Sequence, residues 1–184
     1  MRVSQAEKDR THARILEGAA RLLRARGLEA TGVADVMAAA GLTNGGFYRH
    51  FESKDALTEA AFAAALAEFG DALEARFENR AAALAVADYR ADYLSSEHVQ
   101  SAATGCPIVA LGGDIGRASD RLRGAFGAGV TRAIAALAGG MRGRPAERHD
   151  QAAREFAMLV GAVMIARASA PEVGEAVLEA CRKA

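Results

Sequence analysis

A chain of 184 residues holds one modest domain, or one small module fused to a larger one. Hydrophobic residues make up 51%, enough for a core and too many for wholesale disorder, while 23 basic and 23 acidic side chains cancel and exclude a polycation. Two distant cysteines exclude a zinc site or disulfide framework, and the longest apolar run, FAMLVGAVMIA, falls short of the roughly 20 residues of a membrane span.

The polar start, MRVSQAEKDRTHARIL, lacks the apolar stretch of a signal peptide, so a cytoplasmic protein without membrane contact is expected. Abundant Ala and Leu, sparse β-branched residues and three prolines favour helix over sheet. The fold class expected is all-α.

The first helix is predicted over about Gln5 to Arg26, with Ile15, Ala19, Leu22 and Leu23 on one face and arginines on the others. Gly27 sits where a left-handed terminator is wanted, and Leu28 can fold back onto Leu23 as in a Schellman stop. A second helix is predicted from Thr31 or Gly32, carrying Val33, Val36, Met37 and Ala40, and closed by Gly41. Thr43 is a good N-cap for a third, on which Phe47 and Phe51 form an i,i+4 pair. Two short helices joined by Gly-Leu-Thr match the helix-turn-helix pattern. Ser53 then caps a long helix running toward Asn79, with Leu57, Ala61, Phe69, Leu73 and Phe77 on its apolar face.

Beyond it the pattern stays helical. Leu84, Ala87 and Leu94 suggest one helix, and SSEHVQSAATG reads as a polar connection. Pro107 can start a helix. Ala118, Leu122, Phe126, Val130, Ile134 and Ala138 form an i+4 series, expected to be buried. GGMRGRPAE reads as a loop, with helices after it over Asp150 to Ser169 and from Pro171 to Arg182. Two domains are expected: 1–52, a three-helix helix-turn-helix unit, and 53–184, a helical ligand-binding and dimerisation unit.

The short third helix carries the chemistry. With Phe47 and Phe51 turned inward, Asn44, Gly45, Tyr48 and Arg49 face out, and recognition helices meet base edges through their N-terminal residues. Gly45 and Gly46 let the backbone come close. The Arg49 guanidinium can grip guanine O6 and N7 together, and Asn44 can address adenine. Thr43, Tyr48, His50 and Lys54 suit phosphate oxygens. Thr31, at the start of the second helix, can offer its hydroxyl and nearby N–H groups to another phosphate. Residues 1–55 hold nine Lys or Arg against seven Asp or Glu, a small basic excess.

ARILEGAARLLRARGLEATGVADVMAAAGLTNGGFYRHFESKDAL, about residues 12–57, resembles the N-terminal domain of the TetR (tetracycline-repressor) family of transcriptional regulators. The most specific part is the run from Gly41 through Thr43, Phe47, Tyr48, His50 and Phe51 to Lys54 and Leu57. The resemblance implies a homodimer in which each subunit joins a DNA-binding head to a ligand-responsive helical body. With it goes the expectation of a partly palindromic double-stranded DNA operator and a small-molecule effector; no phosphate loop, metal set or catalytic motif is seen, so no cofactor and no catalysis are expected. It also places the positions of Thr43, Tyr48, His50 and Lys54 at phosphates, and those of Asn44, Gly45, Gly46 and Arg49 at base edges. Many relatives carry a small hydroxyl or larger residue at the Gly46 position and an aromatic at that of Arg49, and some have a polar residue at that of Ala34. Base reading here therefore leans on Arg49, with DNA shape supplying more of the rest.

In the body, Cys106 precedes Pro107 and occupies an N-cap position, where free N–H groups and the helix dipole favour a thiolate. A TetR subgroup has a similar Gly-Cys-Pro start to a ligand-domain helix, and some of its members respond to electrophiles. Cys106 is thus a candidate sensor of oxidants or electrophiles; the alternative is a small apolar packing residue. Cys181 is expected to be inert, and His12 and His149 to be solvated. Ala153, Ala157 and Gly161 form a small-residue ridge suited to close helix approach, between subunits or within one. The reading from another class is a helical bundle with no DNA role, in which Cys106 senses or, with His98 and Asp114, catalyses.

Overall fold

The computed structural model of the protein describes residues 4–78 and 82–183, with side chains from Ala85 onward in the second stretch. Its elements are helices α1 (Gln5–Arg26), α2 (Val33–Ala39), the 3-10 helix η1 (Asn44–Arg49), α3 (Lys54–Phe77), α4 (Ala82–Tyr93), α5 (Ser96–Gln100), α6 (Pro107–Ile115), α7 (Asp120–Gly139), α8 (Pro145–Ala168) and α9 (Pro171–Arg182). No strand occurs among the described residues, as the composition requires.

The head is α1, α2 and η1 around Ile15, Leu23, Val36, Met37, Phe47 and Phe51. α1 begins at Ser4, whose hydroxyl accepts from the Glu7 N–H. Its end departs from the Schellman stop that the sequence suggests. Gly27 has φ +85° and its N–H returns to the Leu23 carbonyl, but the Leu28 N–H is taken by Asp114 Oδ2 at 2.9 Å. The Schellman geometry occurs instead at the end of α2. There the Gly41 N–H donates to Ala38 O and the Leu42 N–H to Met37 O, with Gly41 at φ +69°. That tight reversal is what sets η1 across the end of α2.

α3 belongs to both halves. Ser53 caps it by accepting from the Ala56 N–H, and it packs on α1 at one side and α7 at the other. Gly129 on α7 admits Leu66 so closely that a Cβ there would lie 2.6 Å from its side chain, which accounts for the extensive α3–α7 contact. Arg132 on α7 bridges back to Asp71 and Glu74 on α3, and Arg90 on α4 grips Glu155 on α8 with two bonds of 2.7 and 2.8 Å.

Several elements differ from expectation. The expected end of the long helix at Asn79 and the side chain of Leu84 lie outside the described residues. The buried face of α4 is Ala85, Tyr89 and Tyr93, while Ala87 is exposed. The polar connection SSEHVQ folds as α5, because Ser95 accepts from the His98 N–H and nucleates a turn. In α7 the i+4 series does not stay buried as one stripe. Each i+4 step overshoots a turn by about 40°, so the core face passes from Leu122 to Ala133 and Leu137, leaving Ile134 and Ala138 half-buried. α8 starts at Pro145, five residues earlier than Asp150, because Pro145 is its first residue and Glu147 accepts from the Arg144 N–H.

Candidate nucleic-acid interface

η1 is short because little holds it as an α-helix: two glycines stand in its first turn, and Thr43 is extended without a side-chain bond to the helix end. What fixes it is packing. Phe47 is 1% exposed and Phe51 6%, and their rings lie 5.9 Å apart against the core of the head. With the two phenylalanines buried, the opposite side must face out. Thr43, Asn44, Gly45, Tyr48 and Arg49 are all exposed, Tyr48 to 80%.

The two glycines have different duties. A Cβ on Gly45 would meet nothing within 4 Å, so its face is open. A Cβ on Gly46 would reach Met37 at 3.5 Å, an ordinary contact, and Gly46 is half-buried at the η1–α2 seam. Lys54, at the start of α3, is exposed and donates from Nζ to the Glu29 carbonyl at 3.3 Å, which holds it beside the α1–α2 turn. His50 is half-buried and lies 6.2 Å, centre to centre, from His12 of α1. Burial first, then the charges of His12, Arg49 and Lys8, lowers the His50 pKa.

Thr31 corrects one expectation. It lies before α2, is 4% exposed, and donates its hydroxyl to the Gly27 carbonyl at 2.8 Å. That hydroxyl closes the α1–α2 turn and does not face out toward a phosphate. His12, expected to be solvated, instead stacks on Phe51 at 4.7 Å with the planes 23° apart. Only long-range packing brings α1 to the end of η1, and no local pattern around His12 announces it.

The thiol at Cys106 corrects another. It is the N-cap of α6, as expected, but it is 2% exposed. Burial pushes the thiol up, outweighing the Tyr93 side chain and then the backbone N–H groups of Val109 and Ile108, which pull it down. His98, Cys106 and Asp114 do not assemble as nucleophile, base and orienter. His98 Nδ1 donates to the Tyr93 carbonyl at 2.6 Å, which leaves Nε2 to accept the Cys106 backbone N–H at 3.3 Å. Asp114 stands at the far end of α6 and serves Leu28.

A protruding short helix, locked from behind by two aromatic rings and preceded by a tight glycine turn, defines a helix-turn-helix DNA-binding protein. The sequence profile of the bacterial regulatory proteins of the tetR family matches residues 15–61. Over nearly its whole length the chain is similar to a TetR transcriptional regulator from Chloroflexus aurantiacus, with 28% identity, 97% of this chain and 93% of that one covered, and a TM-score of 0.77. It is similar also to a TetR-family transcriptional regulator from Cytophaga hutchinsonii at 24% identity, with 100% and 96% covered and a TM-score of 0.77. The reduced form of NemR from E. coli shares the fold at 22% identity, with 94% and 96% covered and a TM-score of 0.75. No curated protein sequence matches. The head is thus a TetR-family DNA-binding domain on a TetR-type helical body, and the protein is a DNA-binding transcriptional regulator.

Proposed function

We propose that the protein is an effector-released repressor that binds a partly palindromic operator as a homodimer. One observation carries the reading: the outer side of η1 is bare while its inner side is clamped. Arg49 reads a base from the last residue of η1, Asn44 addresses adenine from the first, and Gly45, with Gly46 behind it at the α2 seam, lets the backbone come near the base edges. Thr43, Tyr48, His50 and Lys54 hold phosphates and set the register. The domain division at residue 52 leaves all of these contacts but Lys54 in the head, and Lys54 opens α3, which serves both halves.

The dimer surface is the outer side of α8 and α9. Met164, Ile165 and Val173 are exposed there to 52%, 39% and 53%, and a Cβ on Gly161 would meet nothing within 4 Å. An exposed apolar face with a smooth central residue is suited to a second copy of itself. Two heads then meet successive major grooves about 34–36 Å apart. The effector is a small molecule taken up in the body, and its differential affinity for the state unable to bind DNA supplies release. Burial of Cys106 favours the packing role over thiolate sensing.

Selection of bound duplexes from a random pool at fixed salt tests the reading. Enrichment of a two-fold related pair of half-sites is expected, and recovery of unrelated sequences contradicts it. On the selected duplex, Arg49→Ala loses about 1–3 kcal/mol of discrimination at one base pair of each half-site. Lys54→Ala weakens all duplexes alike and flattens the salt dependence.

A further inference from the structure

A groove of about 600 Å³ runs between the N-terminal half of α1 and η1, beside the exposed reading side of the head. Its ionisable lining is Glu7, Lys8, Asp9 and His12 from α1, with Arg49 and His50 from the η1 segment; α2 contributes the apolar Met37. With both imidazoles neutral, two fixed cations face two fixed anions. Each proton added to an imidazole therefore gives the groove a full net positive charge.

His12 is not a loose surface side chain. Its ring lies on Phe51, itself 6% exposed, so the packing of the head fixes the imidazole plane. The His50 ring stands 6.2 Å away and tilted by 39°. Charge-assisted N–H···O bonds run to about 2.7–2.9 Å, and two imidazoles this close are within reach of the oxygens of a single phosphate. Lys8 and Arg49 flank the same gap.

We infer that His12 and His50 bracket one backbone phosphate of the operator, and that forming this contact draws a proton onto the pair. The inference rests on the DNA-binding reading and adds to it a contact residue, His12, that lies outside the segment matched by the family profile. The sign follows from charge. In the free protein, burial and cationic neighbours disfavour the His50 imidazolium. A phosphate favours it. The bound pKa thus exceeds the free one, and the extra affinity is present at low pH and lost as pH rises through the bound value.

The experiment is operator affinity at fixed salt from about pH 6 to about pH 8, the range in which imidazoles titrate, on the duplex selected by this protein. Wild type is expected to weaken with rising pH, by up to about tenfold per unit for one linked proton. His12→Phe keeps a ring on Phe51 but cannot take a proton, so weaker binding and a shallower profile are expected. His12→Lys supplies a fixed charge, and tight binding with a shallower profile is expected. His50→Gln, away from the Phe51 stack, serves if His12→Phe fails to fold, and should also flatten the profile. A purely structural His12 predicts a His12→Phe protein with wild-type affinity and slope, and that result overturns the inference. So does a flat wild-type profile on a duplex that is still bound specifically, which leaves the DNA-binding reading intact. Failure to select any duplex removes that reading and this one together.

Discussion

At the scale of single residues, position in a helix and depth in the fold can oppose each other, and Cys106 shows which prevails. The N-terminus of α6 offers backbone N–H groups to a thiolate, yet the sulfur is 2% exposed and desolvation raises its pKa. A helix-end interaction is worth at most about 2 kcal/mol, and even with the Tyr93 side chain and the Arg167 charge beside it, it is outweighed by the several kcal/mol that burying an anion costs. The thiol therefore stays protonated at neutral pH. Alkylation by iodoacetamide followed by peptide mass spectrometry should modify the half-buried Cys181 first, with Cys106 modified appreciably only once the chain is unfolded. Labelling of native Cys106 at the rate of a free thiol would restore the sensor reading. Gly45 gives a residue-scale test of the other site. Because a Cβ there meets nothing and its φ is not positive, Gly45→Val should leave the melting temperature nearly unchanged. Operator affinity should nevertheless fall by about tenfold or more, near 1.4 kcal/mol, since the branched side chain stands between backbone and bases. Loss of stability in place of affinity would mean that this side of η1 is not the reading surface.

At the scale of elements, α6 joins the two halves. Its start lies in the body, where the Cys106 N–H meets His98, and its end reaches the head, where Asp114 takes the Leu28 N–H. Arg24 of α1 adds a second strap, donating to the Ala103 carbonyl just before α6 at 2.8 Å. Asp114→Ala leaves the Leu28 amide without its partner, a loss of about 1–3 kcal/mol. A lowered unfolding midpoint and faster exchange of the Leu28 amide are expected, with a smaller effect for Asp114→Asn, which keeps an acceptor. Unchanged exchange at Leu28 would show that the strap does not hold the turn in solution. These straps explain what could and could not be read from the sequence. The bounds of α1 and α9 and the turn at Gly41 follow from local signals such as flanking glycine and proline, and they stand where the pattern puts them. The outward set Asn44, Gly45, Tyr48 and Arg49 was legible too, because burying Phe47 and Phe51 leaves it no other side. The inward Thr31, the stacked His12 and the stop after Gly27 each depend on a partner distant in sequence or on packing between elements. A local pattern carries no trace of Asp114 arriving at Leu28.

At the scale of the whole molecule, one head is too small a reader for a long operator, and affinity must come from joining two. A second head on the same duplex acts at a high effective concentration and multiplies binding by about 10²–10⁴ without any new contact in either half-site. In the proposed dimer that gain depends on α8 and α9, whose outer side exposes Met164, Ile165 and Val173 while Leu159, Val163 and Leu178 are buried in the same subunit. The exposed residues can thus be changed without opening the core. Val173→Arg and Met164→Arg each place a charge where an apolar surface would be desolvated, a large cost in an interface and a slight one in water. Sedimentation of each variant should shift from dimer toward monomer, with the helical circular dichroism retained. Affinity for an isolated half-site should stay as in wild type, and affinity for the full site should fall toward it. A variant that remains dimeric and keeps the full-site affinity would move the subunit contact to another face of the body. One that becomes monomeric yet still binds the full site tightly would mean that the heads are coupled through the DNA and not through the protein.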